Sequence, residues 1–329
     1  MNQASLNAVY TRRSIRRRYE VWFVRFHLAD GSGAWWFRYL LMNPGRGPDT
    51  HRRGKLRRSA GEPQGEPVQV WATWFPRDGW PQSLIQGFRL GALALSERGA
   101  SPFFFRVGEN WIDENGCAGR LDLQGAKVSW ELRWRSSFGS TVTDWGWIGF
   151  SRTPHLDAIV SGTVNFNGRS FVSDPLGFGL QGHNCGFRHR HLWNWTHCTL
   201  DNPAGGVSTF EALEYEIPMN LRVRRALLWH GGQLYRFEEF EELSRDRERL
   251  IWVFKCRSAE RGAPEASGLV FVDGRGASLH RLAYVKTDCS GTFEVANNSL
   301  ARATLYFARP GQRLEVLSTD AGAVLEMVG

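Results

Sequence analysis

The chain is written mostly in short runs of alternating apolar and polar residues, each stopped by Gly, Asn, Asp or Pro. Residues 19–28 (YEVWFVRFHL) and 34–44 (AWWFRYLLMNP) flank the turn Asp30-Gly31-Ser32-Gly33. Branched and aromatic side chains suit a pleated surface and Gly relieves the tight turn, so this pattern predicts a β-hairpin. Residues 68–75 (VQVWATWF) alternate strictly, with Val68, Val70, Ala72 and Trp74 on one face of a further strand. The intervening residues 44–67, rich in Pro, Gly and Arg and without periodicity, read as a long loop.

From residue 103 the same punctuation continues through residues 103–112, 117–125, 126–136 and 158–168, and again from 209 to 307. Only residues 237–248 carry enough charge for a short helix, with strand and loop as the alternative. Strands at this spacing, with almost no helical period, predict an all-β antiparallel sandwich or up-and-down barrel. A faint internal echo points to two similar halves: Gly119, Leu121, Leu123 and Val128 recur as Gly291, Phe293, Val295 and Leu300, offset by 172 residues.

At 329 residues the chain is long for one domain and comfortable for two. Its 15 Trp and 21 Phe exceed what a core alone needs and favour aromatic-lined cavities. The formal charge of +8 is concentrated in basic segments at 12–18 and 46–58. These read either as solvated surface or as attachment to an anionic membrane or acidic ligand; nucleic acid is disfavoured, since aromatics do not interleave with the basic residues. Five widely spaced cysteines without a CxxC speak against a disulfide framework and for a reducing compartment. With no apolar signal core at the start and no run long enough to span a bilayer, the expected location is cytoplasmic, peripheral to a membrane at most.

Candidate chemistry concentrates in residues 177–198 (GFGLQGHNCGFRHRHLWNWTHC), which hold four of the nine histidines. Placed on a strand, His189, His191, Trp193, Trp195 and His197 share one face. A face of imidazole and indole suits a ligand-facing cavity wall, because a buried imidazole without a partner costs about 1–3 kcal/mol; histidines capped by backbone carbonyls are the alternative. No Asp, Glu or Cys completes a metal shell of known spacing. The GxGxxG at 177–182 is followed by no amphipathic helix, and nothing marks Cys185 as an activated thiol.

The Gly-His-Asn-x-Gly at 182–186, the Trp-x-Trp at 193–195 and Tyr19-Glu20-x-Trp22 resemble the lipocalin-like family of carotenoid 1,2-hydratases, tocopherol cyclases and related isoprenoid-modifying or lipid-binding proteins. The resemblance implies two lipocalin-like antiparallel β-barrels packed together, residues 1–190 and 191–329, with an apolar ligand cavity between them. It further implies chemistry without a dissociable cofactor, in which an alkene is protonated and the cation captured. Hydratases of that family look like Asp-His-Asn-Trp-Gly at this motif, whereas here Gly182 replaces the Asp and Cys185 the Trp. The proton would then come from His183, Asp174 or Glu211, with Asn184 as the orienting or oxyanion-type partner of His183 and with His189, His191, Trp193, Trp195 and His197 binding the substrate. The expected function is a cofactor-independent cyclase, isomerase or lyase acting on an apolar isoprenoid- or polyketide-derived metabolite, the alternative being a non-catalytic lipid carrier.

Overall fold

The structure is a computed structural model and describes residues 3–11, 18–43, 66–123, 125–146, 148–187, 192–201, 206–217, 221–258, 265–276, 278–287 and 289–329. His189, His191, the basic residues 12–17 and 46–58, and nearly all of the expected long loop lie outside these. Among the described residues no helix is long and apolar enough to cross a membrane.

After a short helix α1 (Gln3–Leu6), the first sheet comprises β1 (Arg18–Leu28), β2 (Gly33–Asn43), β3 (Val68–Pro76), β4 (Gln82–Phe88), β5 (Leu93–Leu95), β6 (Phe104–Val107), β7 (Asn110–Asp113), β8 (Gly116–Leu123), β9 (Ala126–Arg135), β10 (Ser140–Asp144), β11 (Gly149–Phe166) and β12 (Arg169–Gly186). The second comprises β13 (Trp193–Asp201), β14 (Val207–Ile217), β15 (Leu221–His230), β16 (Gln233–Phe237), β17 (Glu239–Asp246), β18 (Ile251–Arg257), β19 (Ser267–Asp273), β20 (His280–Val285), β21 (Thr292–Ala308) and β22 (Glu315–Val328). Each sheet curls until its edges approach, β4 toward β8 and β16 toward β18, so the protein is a pair of lipocalin-like antiparallel barrels packed together.

The two halves repeat one topology. The first sheet runs β4-β3-β2-β1-β12-β11-β9-β8-β7, continuing to β6 and β5; the second runs β16-β15-β14-β13-β22-β21-β19-β18-β17. Even the side branches correspond, β10 on β11 and β20 on β21. The residues of the sequence echo do not: Leu123 and Val128 sit on opposite arms of the β8–β9 hairpin, whereas Val295 and Leu300 lie within the single strand β21. Residues 237–248 are also corrected, forming the end of β16 and β17 rather than a helix. Strand β17 is a sheet edge exposed along much of its length, where charge on both faces is tolerated and blunts edge-to-edge pairing.

The alternation along each strand feeds two cores. In β1, Trp22, Val24, Phe26 and Leu28 fill the first barrel, while Val21 and Phe23 pack against the second. In β13, Cys198 and Leu200 belong to the second barrel's interior, and Trp193 and Trp195 face the first. The face that looks solvent-directed in the sequence is therefore a third, shared core between the barrels. Arg25 pins this junction: its fully buried guanidinium donates to the carbonyls of Ser299, Gly322 and Ala323, beside irregularities in the β21–β22 register that release backbone oxygens from the ladder.

Candidate functional site

A cavity of about 130 Å³ lies in this junction. Its hydrocarbon walls are rings: Phe23 and Trp36 from the first barrel, Trp193 and Trp195 from the second. Phe23 meets Trp195 edge-on, with centroids 5.9 Å apart, and Trp36 at 5.8 Å. Trp145, 47% exposed, and Ile148 stand at the rim. These contacts follow from register: β1 pairs with both β2 and β12, so residues 23, 36 and 184 emerge side by side on the junction face.

Polar groups enter this apolar space at a few points. Glu326 on β22 accepts hydrogen bonds from Trp193 Nε1 (2.8 Å), the Tyr284 hydroxyl (2.7 Å) and, at 3.4 Å, Asn297 Nδ2. Burial pushes the Tyr284 phenol well above its ordinary pKa; Arg38 draws it down and Glu326 raises it further, so the hydroxyl keeps its proton at neutral pH. Arg38, only 6% exposed, lies over the rings of Tyr284, Trp71 and Trp36 at 4.1, 4.9 and 5.0 Å. Each such contact is worth about 0.5–2 kcal/mol. Its Nε and Nη1, together with Trp36 Nε1 and Asn184 Oδ1, are buried without a hydrogen-bond partner among the described residues.

The structure brings Asn184, Trp193 and Trp195 to the cavity lining and places His183, Asp174, Glu211 and His197 elsewhere. His183 is fully buried and points into the first barrel, because successive side chains of β12 alternate and Asn184 takes the junction face. Its Nδ1 donates to the Leu6 carbonyl at 2.7 Å and its Nε2 meets Glu20 Oε1 at 2.9 Å. Trp22 stacks on the ring at 4.7 Å and Phe150 abuts it at 4.8 Å. Asp174 is exposed and bonded to Ser161, away from the cavity. His197 shares a face with Trp193 and Trp195, as the alternation predicts, but sits deeper in the junction; its Nε2 donates to the Leu156 carbonyl at 2.8 Å. Burial, with Arg25 adding to it, holds this imidazole neutral, its pKa lowered to about 3.

Glu211 lies one layer behind the wall. Its carboxyl, 1% exposed, accepts from Trp195 Nε1 at 2.9 Å and from Thr153 Oγ1 of the first barrel at 2.7 Å. Desolvation pushes its pKa up to about 7, against the pull of those two hydrogen bonds. At the position expected to hold an acid, Gly182 faces Phe23 directly across β1–β12, and a Cβ there would stand 2.3 Å from Phe23 Cζ. The neighbouring Cys185 thiol is pushed up to about 12 by burial and by Glu20, which leaves it protonated. Arg38, Tyr284 and Glu326 escape a reading of the sequence, since each looks like an ordinary polar residue on the wet side of a strand.

Fold and cavity together define a two-barrel, lipocalin-like protein with an enclosed aromatic and ionisable site at the barrel junction. No protein-family model and no curated protein sequence matches the chain. Solved structures share its fold. The structure of CghA with Sch210972 has a TM-score of 0.60 at 11% identity, covering 95% of this chain and 88% of that one. Kievitone hydratase from Nectria haematococca follows with a TM-score of 0.54 at 12% identity, covering 99% and 94%. At such identities the likeness establishes the architecture.

Proposed function

We propose that the chain is a cofactor-independent enzyme of the cyclase, isomerase or lyase type, acting on an apolar isoprenoid- or polyketide-derived metabolite in the junction cavity. The observation that carries this reading is the Glu326–Tyr284 pair, a carboxylate and a protonated phenol 2.7 Å apart inside an aromatic enclosure. Such a pair supplies a proton acceptor and a proton donor at one point, and the dry surroundings strengthen both. Indole faces from Trp36, Trp193 and Trp195 hold the hydrocarbon and favour positive charge developing on it. Acid–base work is assigned to Glu326 and Tyr284, which line the cavity, rather than to His183, which points into the first barrel. Asn184, whose Oδ1 is open at the cavity, is assigned to orienting the ligand instead of His183. That CghA has been crystallised with Sch210972, and that kievitone hydratase is named for a hydration, support small-molecule chemistry in this architecture.

The test is mass spectrometry of organic extracts from the natively produced protein and from its Glu326→Gln variant. An enzyme releases product, while the variant retains the unconverted precursor, which the unaltered protein then transforms in vitro. Recovery of one and the same unchanged compound from both proteins would establish a carrier and overturn the proposal.

A further inference from the structure

The most demanding feature of the junction is Arg38. A guanidinium cannot shed its charge under ordinary conditions and presents five N–H donors, so its removal from water is costly unless oxygens meet it. Arg25, the other deeply buried arginine of the junction, finds three backbone carbonyls for Nη1 and Nη2 and leaves only Nε without an acceptor among the described residues. Arg38 has the Tyr284 hydroxyl and, for the rest, ring faces: Trp36, Trp71 and Tyr284 surround it, and both its Nε and Nη1 have no acceptor among the described residues. Glu326, the carboxylate of the site, does not supply one. Its oxygens receive hydrogens from Trp193, Tyr284 and Asn297, with the Tyr284 hydroxyl standing between carboxylate and guanidinium.

We infer that the cavity receives an apolar molecule ending in an anionic, carboxylate-like oxygen, and that this head docks on the open N–H donors of Arg38. The inference rests on the cavity being a ligand site, as proposed above, and adds the chemical class of the ligand. Nη1 lies on the Cδ side of the guanidinium and the Nε hydrogen on the other, so the two open donors diverge and each calls for an acceptor oxygen of its own; a hydrogen bond from a guanidinium is strongest when that oxygen is ionised. A plain hydrocarbon would leave both donors unmet. The surrounding rings hold the guanidinium plane in place, so an anion there exchanges little water for a charge-assisted contact. The remainder of the ligand then runs along Trp193 and Trp195 toward the rim at Trp145.

The experiment uses three probes of equal size, phenylacetate, 2-phenylethanol and 2-phenylethylamine, titrated against the full chain by tryptophan fluorescence and ligand-observed NMR. Phenylacetate is expected to bind about tenfold or more tightly than the alcohol, and the amine weakest, the scale of hydrogen bonds to a charged group. In Arg38→Gln the preference for the acid disappears while alcohol binding persists; in Arg38→Lys, which keeps the charge but not the planar array of donors, it falls to an intermediate value. Should either variant fail to fold, the unaltered protein decides at 50 and 500 mM salt. A buried contact keeps the acid preference within about threefold, whereas attraction by the +8 surface is screened away. Equal affinity for acid and alcohol, or a preference that survives Arg38→Gln or vanishes in salt, overturns the inference. Binding of none of the probes would instead strike at the reading of the cavity as a ligand site.

Discussion

The barrel interiors and the junction between them bury similar side chains to different ends. Inside the first barrel, His183 has partners at both nitrogens, and Asn7 and Gln181 bond each other reciprocally at 3.0 Å. Inside the second, Asn194 donates to Glu214, whose other oxygen takes Arg222 and Arg224; Ser208, His230 and Glu315 form a further closed chain. The junction leaves Arg38 Nε and Nη1, Asn184 Oδ1 and Trp36 Nε1 open beside a cavity. Satisfied networks specify a fold, and unsatisfied ones mark where a partner is missing. Of the described histidines in the dense stretch, His183 is held at both nitrogens and His197 at one by groups of the fold, while the open donors of Arg38 stand beside the Tyr284–Glu326 pair proposed above to carry the chemistry.

Two substitutions should separate these roles most sharply. Glu326→Gln is expected to lower turnover of the extracted substrate by about 10²–10⁴-fold, the usual contribution of a positioned acid or base, while unfolding free energy drops by no more than about 2 kcal/mol. His183→Ala should do the reverse. It opens a hole against Trp22, strands the Leu6 carbonyl and removes one of the partners of Glu20, which keeps the backbone N–H groups of Tyr10 and Thr11, so denaturant titration should show a loss of about 3 kcal/mol with turnover near that of the unaltered protein. A large loss of turnover from His183→Ala without loss of stability would break the comparison.

Glu211 lies on the boundary of the two regimes, because it has both partners and yet is costly to ionise. Its pKa rises from 4.5 to about 7, so the folded protein holds that proton more tightly than the unfolded chain. The resulting stability is fully present below pH 4.5 and is lost as pH rises through 7, about 3 kcal/mol in all. His197, opposite it in the ladder, and the nearby His27 are held near 3 and stay neutral across that window; Arg25 stays charged. Glu211→Gln should flatten the stability profile between about pH 5 and 8, checked by urea midpoints across that range. A profile unchanged by the substitution would assign the pH dependence to other groups.

How much of this was legible follows from what alternation encodes. It marks strands and their two faces, and hence the hairpin of β1 and β2, the strand β3 and the all-β class. It does not say whether the second face meets water or another barrel. Arg25, Arg38, Glu211 and Glu326 look like surface residues for that reason. A cue existed in the indoles at 35 and 36 and the aromatic residues at 74 and 75, neighbours that must point to opposite sides and so require both to be dry. The same rule applies to residues 183 and 184: their side chains leave opposite faces of the strand, and Asn184 is the one that reaches the cavity. Trp193 and Trp195 were readable because two indoles on one face of a strand call for a dry or ligand-bearing neighbour.

The smallest expected effect concerns Gly182, the position at which the sequence resemblance leads one to expect an acid. In this protein the space above Gly182 is filled: an added Cβ would lie 2.3, 2.6 and 2.9 Å from three carbons of the Phe23 ring. That ring in turn completes the wall with Trp36 and Trp195. Gly182→Ala should therefore cost about 1–3 kcal/mol through overpacking. Gly182→Asp should cost more, and Phe23→Ala should recover part of either loss, with a coupling of about 1–2 kcal/mol in the double-mutant cycle. Additive losses would mean that the ring moves aside freely and the pair is not linked. Coupling would mean that an acid at 182 and an aromatic at 23 exclude each other, so that a wall of this shape at Phe23 leaves no room for a carboxyl on that strand and the proposed proton transfer must come from the opposite barrel.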